Sequence, residues 1–377
     1  MAGERLHLGR PPGRSIHNRW PCGQRTVAQM IRRSIGSSSR GRRPAPWLLV
    51  ALLAVVVGAT ACESDDAPGP AHASVPTPTV QPTIAPTPTE PPDPPKEFRV
   101  AFINLASPLT LDATSKIAGE TFDERLDIVI KELRGFNPDL IAFNEASVTK
   151  AYGSAITRLA KELKMEFQYA RANPWFPGQT KEQSDELARQ IGFEEGELIL
   201  SRYPIKDGSQ RYALNPRTSE SGEVRAALHV VVKGPGPIGD IDVFVTHLTS
   251  GGERVERAQA ADFAVFVANT RGKGPTIAMV GQSDPAGLST YDFYSAIGLH
   301  DVAGKGPVGT CCRETVIGEQ PPLKLRNDYL LSDRWTALSW QVFGDKPYKR
   351  ADGTLLYASD HNGLWAVFPV PEPTKGP

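Results

Sequence analysis

The chain is poor in cysteine, with four among 377 residues, and it has no excess of charge, since 42 basic side chains balance 42 acidic ones. No repeat is evident. Its strongest apolar run, Trp47–Val57, is short of the roughly 20 residues that span a bilayer. Cys22 and Cys62 fall in the amino-terminal region. Cys311 and Cys312 are adjacent, with no His or Cys at ligand spacing, which is not the pattern of a zinc site. They read either as a strained ring disulfide or as two thiols in a loop.

The neutral balance is an average over unlike parts. Residues 1–43 hold ten Arg, no Lys and one acidic residue, Glu4. Setting them aside leaves 32 basic and 41 acidic residues, a net of −9. A domain that held nucleic acid by charge alone would lean the other way. No aromatic-plus-basic stripe for single strands is evident either.

What is present begins with an export signal. The Arg-rich stretch and Trp47–Val57 have the layout of a signal peptide. The run closes on Gly58-Ala59-Thr60-Ala61-Cys62, which resembles a lipobox with Ala59 where Leu is preferred. Cys62 is therefore expected to be lipidated, anchoring the chain to the outer face of a bacterial cell membrane. The alternative is an ordinary signal cut near Ala61 and a secreted product. Met30 is a candidate true start, and Arg42-Arg43 is a weak twin-arginine cue. Residues 63–96 hold eleven prolines among 34 residues and cannot bury enough apolar surface to fold. They read as a stalk with a reach of about 100 Å at ~3.1 Å per residue.

One folded domain is expected over 97–371, with a short tail at 372–377. Thr121-Phe122-Asp123-Glu124 reads as a capping box, followed by Leu126, Val129, Ile130 and Leu133 at helical spacing, with Gly135 and Pro138 as stops. Ile156, Leu159, Ala160 and Leu163 mark a second helix, and Arg254–Asn269 a third. Residues 173–194 read as a long polar excursion. Leu198–Leu200 and Ala226–Val232 read as strands separated by a polar loop. The mixture predicts layered sheets flanked by helices.

Four apolar runs end, or nearly end, on metal- or phosphate-handling residues, Asn104, Glu145, His247 and Gly281-Gln282-Ser283-Asp284, and Ser359-Asp360-His361 stands just before a fifth, Leu364–Phe368. A core strand gains nothing from a carboxylate at its end, whereas a site assembled from strand ends gains a rigid cluster. Singly each has a bland reading: Glu145 a solvated edge carboxylate, His247 a core histidine, Asp360-His361 a turn cap. Together they are far more specific.

Their order resembles the endonuclease/exonuclease/phosphatase superfamily, which includes pancreatic-type deoxyribonucleases, abasic-site endonucleases, bacterial sphingomyelinases and inositol polyphosphate phosphatases. The matching pieces are Phe102-Ile103-Asn104, Pro138-Asp139 with Asn144-Glu145, Gly196 to Pro204, Val224 to Ala227, Thr246-His247-Leu248, Arg326 to Tyr329 and Ser359-Asp360-His361. The resemblance implies an α/β four-layer sandwich, two packed mixed β-sheets with helices outside. It implies metal-dependent hydrolysis of a phosphodiester or phosphomonoester by in-line water attack. Oxygen ligands suit Mg²⁺ or Mn²⁺, and Ca²⁺ in a looser cage. Glu145 is then the principal metal ligand, with Asn104 and Asp360. His361, oriented by Asp328, and His247 serve the phosphate and leaving group, and Arg225 and Glu197 stand behind them. For Arg225 a surface ion pair, and for Glu197 a solvated hairpin residue, are equal alternatives. The substrate is left open among a small molecule, a lipid headgroup and nucleic acid, and the protein is expected to be a monomer.

The pattern departs at Gly281-Gln282-Ser283-Asp284, where the superfamily has Gly-Asp-Phe-Asn or Gly-Asp-Leu-Asn. Gln282 cannot accept a proton as a base, and Asp284 brings negative charge where phosphate should bind. Either Asp284 takes over the water or a second metal, or hydrolysis is lost while the fold and metal site remain, leaving a module that binds or senses a phosphorylated ligand.

Overall fold

The computed structural model describes residues 95–108, 119–176, 178–215, 224–249, 253–282, 290–304 and 308–372. The expected export signal, Cys62, residues 63–94 of the expected stalk and Asp284 lie outside these residues. No helix among the described residues is long and apolar enough to cross a membrane.

Two β-α-β units organise the domain. In the first, β1 (Glu97–Asn104) leads through α1 (Phe122–Phe136) to β2 (Leu140–Thr149). In the second, β8 (Asp240–His247) leads through α4 (Glu253–Thr270) to β9 (Thr276–Gly281). Both strand pairs are parallel, with Asn104 registered on Asn144 and His247 on Gly281. Parallel neighbours need such a crossover, and a helix is the usual one.

Antiparallel strands complete two mixed sheets. Beside β1 and β2 lie β4 (Glu166–Asn173), β5 (Phe193–Ser201), β12 (Ser339–Phe343) and β15 (Gly363–Pro369), in the order β12-β15-β1-β2-β5-β4, with the short β3 (Gly153–Ser154) paired to β2. The second sheet runs β10-β11-β9-β8-β7-β6, using β6 (Gln210–Ala213), β7 (Ala226–Lys233), β10 (His300–Asp301) and β11 (Asp328–Ser332).

Side-chain alternation makes the layers. Val100 and Phe102 enter a core shared with Val243, Val245 and Met279 of the other sheet. Their neighbours Ala101 and Ile103 face the opposite way, against Leu126, Val129 and Leu133 of α1 and Ile156 and Leu159 of α2 (Ala155–Leu163). Phe244 and Ala278 likewise turn outward onto Phe263 and Val267 of α4. A period of two puts successive side chains on opposite faces, so each sheet has two buried faces. Each fully buried Phe, Val or Leu contributes about 1.5–3 kcal/mol. The result is the four-layer α/β sandwich expected from the sequence.

Four local expectations need correction. The Thr121 side chain makes no cap hydrogen bond, and Glu124 instead takes a two-point ion pair from Arg350 at 2.8 Å. The first helix runs through Gly135 and ends where Asn137 turns left-handed, with φ 51°. The stretch 173–194 is not all loop: it contains α3 (Lys181–Ile191), opened by a true capping box between Thr180 and Gln183, and the start of β5. Its polar outer face hid a helix with few buried positions. The loop expected before Ala226 also contains β6.

Candidate active site

Strand polarity gathers the site. β1, β2, β8 and β9 all run toward one end of the sandwich, while β5, β7, β11 and β15 are antiparallel to their neighbours and begin there. Asn104, His247 and Gln282 therefore arrive at or just past carboxyl ends of strands, and Arg225, Asp328 and His361 at or just before amino ends, while Glu145 leaves β2 at a bulge within the strand and Glu197 sits within β5 opposite that bulge. The crevice outside the carboxyl ends of parallel strands is where α/β sheets bind ligands.

Glu145 occupies a bulge between Phe143 and Ala146, with φ 56°, a left-handed conformation rare for a glutamate. A bulge re-aims a side chain out of the alternating pattern. The carboxylate accepts from Asn104 Nδ2 at 3.1 Å and Ser107 N at 2.8 Å. Asn104 Oδ1 accepts from Ala106 N at 2.9 Å, so in this orientation Asn104 positions Glu145 and does not turn its oxygen outward. Burial raises the Glu145 pKa, and the negative charge of Asp360 raises it further. Two carboxylates driven together in this way fit a divalent cation, which would remove their repulsion, and all-oxygen donors fit a hard one.

Arg125 lies under the cluster. Its guanidinium donates to the carbonyls of Leu105 at 2.7 Å, Ala106 at 2.9 Å and Ala358 at 3.3 Å, joining the Asn104 and His361 loops. Burial lowers its pKa to about 10, opposed by Asp360 and Glu145, so it remains a cation at neutral pH.

His247 faces Glu145, with Nδ1 3.7 Å from Oε1. It is not an ion pair. Burial, then the charges of Arg225 and His361, hold the His247 pKa well below the ordinary value. Arg225, buried, donates to Nδ1 at 3.2 Å. Arginine can only donate, so Nδ1 is the acceptor and the proton of the neutral ring sits on Nε2. Arg225 is thus not a surface ion pair, nor is Glu197 a solvated hairpin residue. Glu197 is buried and accepts a short hydrogen bond from Asn144 Nδ2, and burial lifts its pKa to about 8.

His361 is the opposite case. Its Nδ1 lies 2.7 Å from Asp328 Oδ2, a contact that bridges the two sheets. Burial alone would lower its pKa, but Asp328, Asp360 and Glu145 raise it to about 9. The loop is fixed around it: Ser359 Oγ donates to Asn104 O at 2.7 Å, and His361 N donates to Ser359 Oγ at 3.1 Å. Thr310 Oγ1 accepts from the backbone N of Asn327 and of Asp328, both at 3.0 Å.

No family model matches the chain, and no curated protein matches it by sequence. Solved structures do. An endonuclease/exonuclease/phosphatase from Beutenbergia cavernae superposes with TM-score 0.52 at 20% identity, covering 73% of this chain and 72% of that one. A family protein from Bacteroides thetaiotaomicron gives 0.55 at 14% identity over 73% and 98% of the two chains. A mannosyl-6-phosphatase of the same organism gives 0.51 at 15% identity over 71% and 98%. This is the endonuclease/exonuclease/phosphatase fold. The residues above occupy one end of that fold.

Within that fold the departing segment is only partly described. Gly281 is needed where it stands: a Cβ there would meet Asn144 Oδ1 and come within 2.9 Å of His247 Cδ2. Gln282 is buried, its N donates to Asn327 O at 2.8 Å, and its Oε1 accepts from Tyr294 OH at 3.2 Å. Its Nε2 has no partner among the described residues. Asp284 lies outside them.

Two arginines escaped sequence reasoning. Arg125 carried a signal, a charge on the apolar stripe between Phe122 and Val129. Arg313 carried none, since it lies in irregular chain. Its guanidinium donates to the carbonyls of Ser359, His361 and Gly344, each at 3.1 Å, and so braces the His361 loop.

Proposed function

We propose that this chain is a divalent-metal-dependent phosphoesterase, exported and held at the outer face of a bacterial membrane through Cys62. The observation that carries the enzymatic reading is the juxtaposition of the Asp328–His361 pair with Glu145 and His247, four residues from two sheets at one end. Glu145 and Asp360, with Asn104 supporting Glu145, would hold Mg²⁺, Mn²⁺ or Ca²⁺. Such a cation supplies Lewis-acid charge on a phosphate oxygen. His361, a cation below pH about 9, presents Nε2–H to a non-bridging oxygen. Neutral His247 offers its own Nε2–H to the phosphate or the leaving oxygen. Fixed donors aimed at developing charge need no reorganisation during reaction. The water-orienting role falls to Asp284, because Gln282 can hydrogen-bond a water but cannot take its proton.

Purified protein should be assayed on bis-p-nitrophenyl phosphate, plasmid DNA, sphingomyelin and a mannosyl 6-phosphate, with each cation in turn. Turnover on at least one substrate, lost in Glu145→Ala, is expected. No turnover above that variant on any of them sinks the reading. For the anchor, Cys62→Ser should move the protein from the membrane fraction to the medium.

The engagement of Gln282 by Tyr294 favours a second reading, a catalytically impaired binder of a phosphorylated ligand. The double replacement Gln282→Asp with Asp284→Asn decides between them. A gain of orders of magnitude from near zero marks an impaired enzyme, and a fall marks a working rearrangement.

A further inference from the structure

Cys311 and Cys312 are distant from His361 in sequence but not in space. Cys312 Sγ lies 3.6 Å from His361 Nε2, and the two sulfurs and a His361 ring nitrogen all fall within 4.8 Å of one another. The approach is built into the fold. Thr310 N and Cys311 N both donate to Leu325 O, Asn362 N donates to Thr310 O at 2.8 Å, and Arg313 N donates to Asp360 O at 2.8 Å. The cysteine loop is therefore sewn to the loop that carries His361.

The expectation that these cysteines lack a histidine partner fails for this reason. Ligand spacing in sequence detects only partners supplied by the same turn or helix, and His361 comes from another element. In the structure the two sulfurs are joined as a disulfide. Cys311 is buried and Cys312 half-buried, so Cys312 is the more accessible of the two to a small thiol.

We infer that Cys311, Cys312 and His361 form a redox-gated site for a thiophilic divalent cation, of the zinc or cadmium class, separate from the oxygen site at Glu145. Reduction by a small thiol breaks the S–S bond, gives two thiols and releases the reductant as its own disulfide. The cation then displaces both thiol protons and the Nε2 proton of the charged His361 ring, and takes two thiolates and His361 Nε2, leaving a fourth position open, a donor set that suits zinc. Asp328 on Nδ1 supplies the carboxylate partner that metal-bound histidines commonly have, fixing the tautomer that leaves Nε2 free to ligate. Oxidised, the sulfurs offer no thiolate and His361 stays free. Bound metal would occupy the ring nitrogen that the phosphoesterase reading assigns to phosphate. Only that inhibitory consequence rests on the reading; metal binding itself does not.

The test uses the full chain, reduced without air by a phosphine, which ends as its oxide by taking the oxygen of one water. Cadmium is titrated in, following the ultraviolet thiolate-to-cadmium absorbance and the protons released. Reduced protein at neutral pH should bind one more cadmium ion than Cys311→Ser/Cys312→Ser, with about three more protons released, two from the thiols and one from His361 Nε2. That variant subtracts any contribution of Cys22 and Cys62. Oxidised protein should lack this ion, and His361→Gln and Asp328→Asn should each weaken it about 10–100-fold. Equal binding by reduced protein and the double variant, equal binding by oxidised protein, or unchanged affinity in His361→Gln overturns the site. The oxidised-against-reduced arm needs no substitution and so survives a variant that fails to fold. Inhibition of turnover by cadmium only after reduction is expected if the phosphoesterase reading holds. Absent turnover with intact binding fails that reading and leaves the metal site standing.

Discussion

His247 and His361 are two buried imidazoles at the same end of one sandwich, and at neutral pH they carry different charge. Burial pushes both toward the neutral form. What differs is the partner on Nδ1. Arg225 donates to His247 and repels a proton there, while Asp328 accepts from His361 and holds one. Residue type and burial therefore do not set a histidine's role; the charge of its hydrogen-bonding neighbour does, because in a poorly solvated site little water screens it.

The largest effect should come from removing the feature that separates the two rings. Asp328→Asn should drop turnover by roughly 10²–10⁴-fold, the range of a lost general acid or its equivalent. The His361 pKa should fall from about 9 toward or below the ordinary range. In the parent, the His361 charge and its pairing with Asp328 are complete below the unfolded value of 6.5 and lost as pH rises through about 9. Activity should follow that alkaline limb, which moves to lower pH in the variant. Histidine NMR titration alongside kcat/KM against pH checks both, and an unmoved limb would break the comparison.

Next is the support shared by both loops. Arg125→Met strands three carbonyls and should cost about 3 kcal/mol of stability, read by urea unfolding. A loss under about 0.5 kcal/mol would show that the guanidinium is not the brace described.

Sharpening the His247 side, Arg225→Gln should remove the repelling cation and raise the His247 pKa toward 6.5. Turnover should fall about tenfold, less than the roughly 10²–10⁴-fold of a proton-transferring group, and the same NMR titration reads the shift. No rise would mean that burial alone keeps this ring neutral.

The smallest effect at pH 5 should be at Glu197, whose pKa rises from 4.5 to about 8 on folding. Folded protein then holds more protons than unfolded protein between those values, so stability falls as pH rises across them. Glu197→Gln should flatten that slope in urea unfolding at pH 5 and pH 8. At pH 5 the two proteins should differ by less than about 1 kcal/mol, both being largely neutral there and hydrogen-bonded.

Much of this was legible in the chain. The ends of β1, β8 and β9 and the start of β15 announced themselves because apolar alternation stops at a polar residue whose type is costly in a core. Glu145 was identified correctly but does not end its strand; β2 continues to Thr149 across the bulge. The bulge is invisible in composition, since it depends on how β5 pairs. The helix over 181–191 stayed hidden because only Ser184 and Ala188 are buried on it, too few for an apolar stripe. Arg313 could not be seen at all, as most of its partners are backbone carbonyls, which every residue possesses, and the remaining one, Asn362, is distant in the chain.

By itself the sequence determined layered sheets flanked by helices, through apolar periodicity and helix-length crossovers, and the residue types that line one end of them; the pair of packed sheets was implied by the resemblance. Both are local properties, written in stretches of four to eighteen residues. Tertiary structure alone decided which histidine is charged, that Glu197 is buried and held by Asn144, and that Cys311 and Cys312 stand against His361. Those depend on electrostatic and hydrogen-bond contacts between segments far apart in the chain, and such contacts exist only once the two sheets have packed.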